Sequence, residues 1–263
     1  MNTTNIWPYL KICKELIHED LLVFKQTFFD KLIDVGIWVA LTIGVTSYIM
    51  PYFGLLDFGV FQLGGIIAAI GLFELYASAI EMVSDFEGNR VINYSLTLPI
   101  PSWMAIVSKG AYYFIVYFFL SAFMLPLGKL ILWNQLDLTQ INYFKFFISM
   151  IFQNLFYACF VLWAASIIAN MSKFGSIWAR YIFPMWFMGG FQFSWISLNK
   201  VSPIISYINL LNPMMYITEA ARVSMLGQSG YINFWFCMLS ITFFSIICLA
   251  VGIRNLKKRL DFI

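Results

Sequence analysis

Residues 85–101 read DFEGNRVINYSLTLPIP and separate two long apolar runs. The run before them, residues 63–82, reads LGGIIAAIGLFELYASAIEM, and the run after them begins at residue 103 and contains YYFIVYFF. The stretch between the runs has three charged side chains, a polar turn and two prolines. This alternation is typical of a chain whose apolar segments cross a lipid bilayer and whose links return to water.

The composition places most of the chain in lipid. Hydrophobic residues make up 61% of the sequence and charged residues 11%, whereas soluble domains carry about 25% charged residues. A water-soluble fold of 263 residues could not cover its surface with so few charges, so the bilayer must solvate most of it. We therefore expect an all-α membrane protein with six transmembrane helices, because each span needs about 20 apolar residues.

The apolar runs predict the domain boundaries. Charged residues and bulky apolar residues alternate at helical spacing in residues 1–32, which predicts an amphipathic helix lying along the membrane surface. The transmembrane domain is expected at residues 33–252, followed by a basic cytoplasmic tail at 253–263. The expected spans are approximately residues 33–50, 58–82, 103–127, 145–169, 177–197 and 231–252.

The distribution of Lys and Arg predicts the orientation. With both termini in the cytoplasm, inner segments hold twelve of the 16 basic residues, as the positive-inside rule requires. The outer segments hold only Lys129, Lys145, Lys200 and Arg222. The N-terminal residues are charged and lack the uncharged core of a cleaved signal peptide, so we expect the N-terminus to stay in the cytoplasm.

Several kinds of chemistry are excluded by what the sequence lacks. It has one His and four Cys without metal-like spacing, so neither a metal site nor catalytic residues are expected. No basic run with interleaved aromatic residues suggests a nucleic-acid surface. No G-x-x-x-x-G-K-[ST] motif occurs, so the chain itself is expected to bind no nucleotide cofactor.

Two acids fall within the second expected span. Glu74 and Glu81 are seven residues apart, so they face the same way, and Glu81 lies near enough to the inner interface to be solvated. Glu74 is deeper, where a carboxylate costs about 2.5–3.5 kcal/mol on insertion scales. Either Glu74 lines a substrate pathway, or it is protonated and hydrogen-bonded within the helix bundle.

Other polar and small residues in the spans suggest helix packing. Gln153 and Asn154 in the fourth span are expected to bond between helices. The second span offers a set of small residues that permit close contact, either within the chain or across a dimer face. These residues are Gly64, Gly65, Ala68, Ala69 and Gly71.

Residues 85–97, called here the coupling segment, lie on the cytoplasmic side in this orientation. Ser84 or Asp85 is placed to cap a short helix that runs to about Leu96 and ends before Pro99. Its charged start would meet water, and its apolar side would dock on membrane helices or on a partner. A short helix joined rigidly to two spans can transmit a movement of a bound partner to those spans.

These features together resemble the membrane subunit of ABC-2 type exporters, a family of bacterial permeases for drugs, lipid-linked glycans and polysaccharides. The amphipathic N-terminal helix leads into the first span, as in that family. The coupling segment and LTLPIPSWMAIVSKG at residues 96–110 are similar to the family's coupling helix and Leu-x-x-Pro-ϕ signature. LLNPMMYITEAAR at residues 210–222 is similar to its Asn-Pro-x-x-Tyr-…-Glu-…-Arg motif. EGNRVIN at 87–93 departs from the family by lacking the usual Gly-Thr and following Glu.

The resemblance implies two sets of functional residues. The residues expected to contact a separate ATPase are Asp85, Glu87, Arg90, Val91 and Tyr94. The motif before the last span is expected to form re-entrant helices at the outer leaflet, and its residues are Asn212, Pro213, Tyr216, Glu219 and Arg222. Glu219 and Arg222 are three residues apart, so they share a helix face and could form an ion pair.

The resemblance also implies an assembly. A homodimer of this chain with two copies of a separate ABC ATPase, which binds ATP and Mg, would lie in the bacterial inner membrane and export a drug-like, lipid or lipid-linked substrate. The alternative is a permease for polysaccharide or O-antigen export. A secondary transporter or channel is less expected, since there is no internal repeat, and a membrane-embedded enzyme is disfavoured by the scattered acids.

Overall fold

The computed structural model describes residues 7–54, 58–85, 99–168 and 170–260, which are helical and contain no β-strand. Five helices of this part are long and apolar enough to cross a membrane: α1, α2, α3, α4 and α10. The helices are α1 (Trp7–Gly44), α2 (Phe58–Ser84), α3 (Ser102–Leu132), α4 (Tyr143–Ile167), α5 (Phe174–Ile177), α6 (Phe183–Phe187), α7 (Trp195–Val201), α8 (Pro203–Asn209), α9 (Pro213–Leu226) and α10 (Phe234–Leu260).

Helices α2 and α4 form the centre of the bundle. Every residue from 62 to 72 on α2 is buried, and α2 packs against α3, α4 and α9, while α4 packs along α10. A Cβ added to Gly71 would overlap the ring of Tyr157 on α4. The small residues of α2 therefore serve contacts within one chain, which decides between the two alternatives left open by the sequence.

Polar side chains bond between the central helices. Gln153 Nε2 on α4 donates to the carbonyl oxygen of Ile67 on α2 at 3.2 Å, and Ser121 Oγ on α3 donates to Asn154 Oδ1 at 3.2 Å. Such bonds between helices replace water as the partner of buried polar groups in lipid. The helix-to-helix role predicted for Gln153 and Asn154 is confirmed.

Helix α1 passes without a break through the predicted boundary between residues 32 and 33. Its helical path continues through a π-helical turn at Val45–Ile49 and a 3-10 turn at Met50–Phe53. It ends at Gly54, whose φ of 86° lies in the left-handed region that glycine tolerates. The N-terminal half of α1 is not a separate helix outside the bundle, because α1 packs along α3.

The six-span prediction is not confirmed at residues 177–197. This region holds α5, a π-helical turn at Trp178–Ile182 and α6, together called the 174–187 run. The run would extend roughly 21 Å at 1.5 Å per residue, short of a hydrocarbon core of about 30 Å. Its helical geometry ends at Phe187, shortly before Gly190, whose φ of 75° lies in the left-handed region.

Candidate functional site

Helix α9 begins at the Asn-Pro pair of the predicted motif. Asn212 Oδ1 accepts a hydrogen bond from the N–H of Met214 at 3.0 Å, and Pro213 occupies the first turn, where its missing N–H costs nothing. Asn212 Nδ2 donates to the carbonyl oxygen of Met185 at 2.9 Å. One side chain thus caps α9 and ties its start to the 174–187 run.

Arg222, near the end of α9, is completely buried. Its Nε donates to the carbonyl oxygen of Phe61 at 3.2 Å, and its guanidinium carbon lies 3.6 Å from the centre of the Phe61 ring. Nη1 donates to the carbonyl oxygens of Gly190 at 2.6 Å and Phe193 at 3.1 Å, and Nη2 donates to that of Phe191 at 2.8 Å. The planar fork of arginine suits such an array. It fastens α9 to the first turn of α2 and to the backbone that follows the 174–187 run.

Two glycines of α2 make room for this side chain. A Cβ on Gly64 would lie 2.9 Å from Cγ of Arg222, and one on Gly65 would lie 3.0 Å from both Arg222 Nη2 and the carbonyl oxygen of Phe191. Ordinary side chains would therefore push the guanidinium away from its carbonyl partners. Glycine at both positions lets α2 and α9 approach closely.

Glu219 is also completely buried, one helical turn before Arg222. Its Oε1 accepts the N–H of Trp195 at 2.9 Å, at the start of α7, and its Oε2 accepts the N–H of Ile232 at 2.8 Å, just before α10. The carboxylate thus joins three segments at one point.

The ion pair predicted between Glu219 and Arg222 is not formed. Both side chains are described, and the ion pairs within 4.0 Å among the described residues do not include this one. Each charge is instead held by backbone groups, the carboxylate by N–H donors and the guanidinium by carbonyl acceptors.

Two further hydroxyls complete the attachments of α9. Tyr216 OH donates to the carbonyl oxygen of Leu210 at 2.8 Å, and Thr218 Oγ1 donates to that of Gly189 at 2.7 Å. Thr218 was not anticipated from the sequence, since threonine in an apolar helix carries no distinctive signal. The five predicted motif residues, listed above with the resemblance, all lie along α9 or cap its start, and we call them the motif cluster.

Glu74 has a partner that neither sequence alternative anticipated. Its Oε2 lies 3.1 Å from Nζ of Lys31 on α1. Two turns further towards the coupling segment, Lys109 Nζ on α3 lies 2.9 Å from Asp20 Oδ1 on α1 and 3.4 Å from Glu81 Oε1 on α2. The half-exposed side chain of Glu81 agrees with its predicted solvation. These pairs join α1 to α2 and α3.

The coupling segment lies largely outside the described residues. Asp85 directly follows α2 and is described. The other four predicted contact residues, Glu87, Arg90, Val91 and Tyr94, lie outside the described ranges.

Comparison with known proteins identifies the chain. A family model described as ABC-2 type transporter matches residues 23–226, which is most of the sequence and runs from α1 through α9. No curated protein matches the chain. Domains of this family are the membrane-embedded permease part of ABC transporters, are not themselves the ATPase, and generally pair with an ABC ATPase subunit. With its apolar helices and its motif cluster, this chain belongs to the ABC-2 type transporter family.

Proposed function

We propose that this chain is the permease subunit of an exporter driven by ATP hydrolysis on a separate chain. The observation that carries the proposal is the continuity of α2. Its first turn contacts Arg222 through Phe61, and its last residue, Ser84, leads directly into the coupling segment. At 1.5 Å per residue α2 is roughly 40 Å long, about the thickness of a bilayer with its headgroup regions.

The coupling segment is the proposed contact with the ATPase. Asp85, Glu87, Arg90, Val91 and Tyr94 would engage a groove on that subunit, which binds ATP and Mg. When two ATPase subunits close on nucleotide, the push on the coupling segment would move α2 along or about its axis. Because α2 is an uninterrupted helix, the motif cluster would respond, and two packings of the bundle would face opposite sides of the membrane.

The motif cluster is proposed to form the outer gate. The start of α2 meets the end of α9 at Arg222, and the N–H of Asn142 before α4 donates to the carbonyl oxygen of Ser224 at 2.8 Å. In the orientation predicted by the positive-inside rule, this end of the bundle is the outer one. The 174–187 run with α7, α8 and α9 would then supply the sixth crossing as re-entrant pieces. Backbone of this kind is tolerated in a membrane where protein groups satisfy it, as Arg222 does for residues 190–193.

The proposed assembly is a homodimer in the bacterial inner membrane with two ATPase subunits. Both termini would lie in the cytoplasm, and α1, which is unbroken from Trp7 to Gly44, would begin on the inner side. The pathway for a drug-like, lipid or lipid-linked cargo would run between the two protomers, with Glu74 as a candidate for its wall.

The test is ATPase stimulation in a reconstituted complex. The chain would be purified with the ATPase encoded by a neighbouring reading frame, placed in nanodiscs, and assayed with and without Glu87→Ala or Arg90→Ala. We expect both variants to lower permease-dependent ATPase activity severalfold, because they remove charges of the coupling segment. Lys173→Gln changes an exposed basic residue of a different link and should leave the activity unchanged.

A second measurement addresses sidedness. In a background without the native cysteines, Ser95→Cys should react with a membrane-impermeant thiol reagent only from the cytoplasmic side. Reaction from the outside, or full coupling in both charge variants, would contradict the proposed role of the coupling segment.

A further inference from the structure

A largely apolar cavity of about 450 Å³ opens onto the surface of the bundle. It is lined by residues of α4, the 174–187 run, α8, the start of α9 and α10. Its walls include Phe156, Phe160, Met185, Ile208 and Phe244. The volume is within the range of about 300–1,000 Å³ found for sites that bind small organic molecules.

One charged residue lines this cavity, Arg180 in the π-helical turn. Its side chain is exposed and has neither an ion pair nor a hydrogen bond among the described residues. A cation on a helix of a membrane bundle is costly and normally faces water, a partner or an anion. A π-helical turn within a helix is also frequent at functional positions.

A second polar group at the cavity lacks a partner. The side chain of Asn209 is 4% exposed, and its Nδ2 has no hydrogen-bond partner among the described residues. Asn212 lines the same cavity and is fully engaged through both Oδ1 and Nδ2. Since burying an amide donor without an acceptor costs about 1–3 kcal/mol, Asn209 indicates a missing acceptor.

We propose that this cavity binds a single-chain anionic amphiphile, such as a fatty acid or an alkyl phosphate. Its acidic headgroup accepts hydrogen bonds from Arg180 and Asn209, and its chain lies against the apolar wall that includes Phe156 and Phe244. Two donors and one positive charge select an anion over a neutral or cationic headgroup. A two-chain phospholipid exceeds the volume.

Photolabelling tests the site directly. The purified protein in nanodiscs of zwitterionic lipid would be labelled with dodecanoate carrying a diazirine near the end of its chain, and the labelled peptides would be mapped. We expect label on peptides that contain Phe156 or Phe244. Unlabelled dodecanoate should compete at least about tenfold better than dodecanol, because a charge-assisted hydrogen bond is lost with the alcohol.

Variants separate the headgroup contacts from the apolar wall. Arg180→Gln should weaken competition by dodecanoate about tenfold and leave that of dodecanol unchanged, and Arg180→Lys should restore most of the difference. Ile208→Trp should fill the cavity and abolish labelling by both probes. Lys173→Gln, a nearby exposed cation that does not line the cavity, should behave like the unmodified protein.

Three results would overturn the proposal. These are equal competition by dodecanoate and dodecanol, an Arg180→Gln variant that binds dodecanoate normally, or label confined to helix faces outside the cavity. Cross-linking of Ile208→Cys to a second copy with no labelling would assign the surface to a dimer instead. Labelling needs no ATPase, so its failure is distinguishable from a failure of ATP-coupled transport.

Discussion

Arg222 Nε donates to the carbonyl oxygen of Phe61, 161 positions earlier in the chain, and stacks its guanidinium on the ring of the same residue. The bond joins the beginning of the second long helix to the end of the last short one. A long-range contact of this kind, made by a fully buried cation, fixes how α9 sits against α2. The first prediction follows from it.

Arg222→Lys should destabilise the protein by about 1–3 kcal/mol. Lysine has no planar fork, so at least one of the carbonyl oxygens of Phe61, Phe191 or Gly190 loses its donor. Thermal unfolding in detergent would measure the change, at about 2–4 °C for each kcal/mol. Arg254→Lys, at an exposed position of α10, is the matched control. Equal melting temperatures for the two variants would show that the carbonyl array contributes little.

Gly71→Ala should destabilise by about 1–3 kcal/mol, because the new methyl group overlaps the ring of Tyr157. The ring cannot simply retreat, since its hydroxyl donates to the carbonyl oxygen of Ala68 at 2.6 Å. Gly175→Ala meets nothing within 4 Å and should be neutral or slightly stabilising, because alanine favours helix. The two melting temperatures should therefore move in different directions, and a stabilising Gly71→Ala would be incompatible with the packing described.

Lys31 and Glu74 should show coupling in a double-mutant cycle. Glu74→Met alone leaves the ammonium of Lys31 without its carboxylate, and Lys31→Met alone leaves the carboxylate without its ammonium. The losses of stability in the two single variants should therefore sum to more than the loss in the double variant. We expect a coupling energy of about 1–2 kcal/mol by thermal unfolding, within the range for residues in contact. Strictly additive effects would rule out the ion pair.

The same cycle tests Glu74 as part of the pathway. If the carboxylate contacts cargo, the double variant should regain stability and still lose transport. If Glu74 only holds α1 against α2, stability and transport should recover together.

Asp137 should titrate below its ordinary value. The Thr139 hydroxyl and the Thr139 N–H both donate to its carboxylate, which lowers the pKa of this exposed group. A carboxyl with a depressed pKa in the folded state stabilises the turn above its unfolded pKa, and that contribution is lost as the pH falls through the folded pKa. The amide signal of Thr139, followed by NMR with selective labelling, should titrate with a midpoint pH below that of an ordinary aspartate. Asp137→Asn should show no titration, and a midpoint at or above the ordinary value would contradict the hydrogen bonds.

The long helices were predictable because hydropathy alone determines them. The runs that end near Ser84, Leu132 and Ile167 are bounded by polar or proline-containing links, and α2, α3 and α4 follow those links closely. The sequence YIFPMWFMGGFQFSW at residues 181–195 carries no charge, so hydropathy predicts a crossing there. The helical run ends at Phe187, shortly before the left-handed backbone conformation of Gly190, which no hydropathy average contains.

The motif residues were identified from the sequence, and their partners were not. Arg222 and Glu219 bond to backbone carbonyl and N–H groups, which every residue type carries, so no side-chain pattern marks them. The i, i+3 spacing suggested an ion pair between the two residues because spacing along one helix does not include the partners that neighbouring segments supply. Lys31 and Glu74 lie 43 positions apart on different helices, where only the packing of the bundle brings them together.

The unbroken course of α1 has a mechanical consequence. A helix of 38 residues is roughly 57 Å long, and no glycine pair or proline within it marks a hinge near residue 32. Its two ends therefore cannot tilt independently, and a few degrees of rotation near Asp20 sweep the far end sideways by several ångströms. A displacement of α1 at Asp20, where it pairs with Lys109, must therefore also shift the other end of the helix, at Gly44.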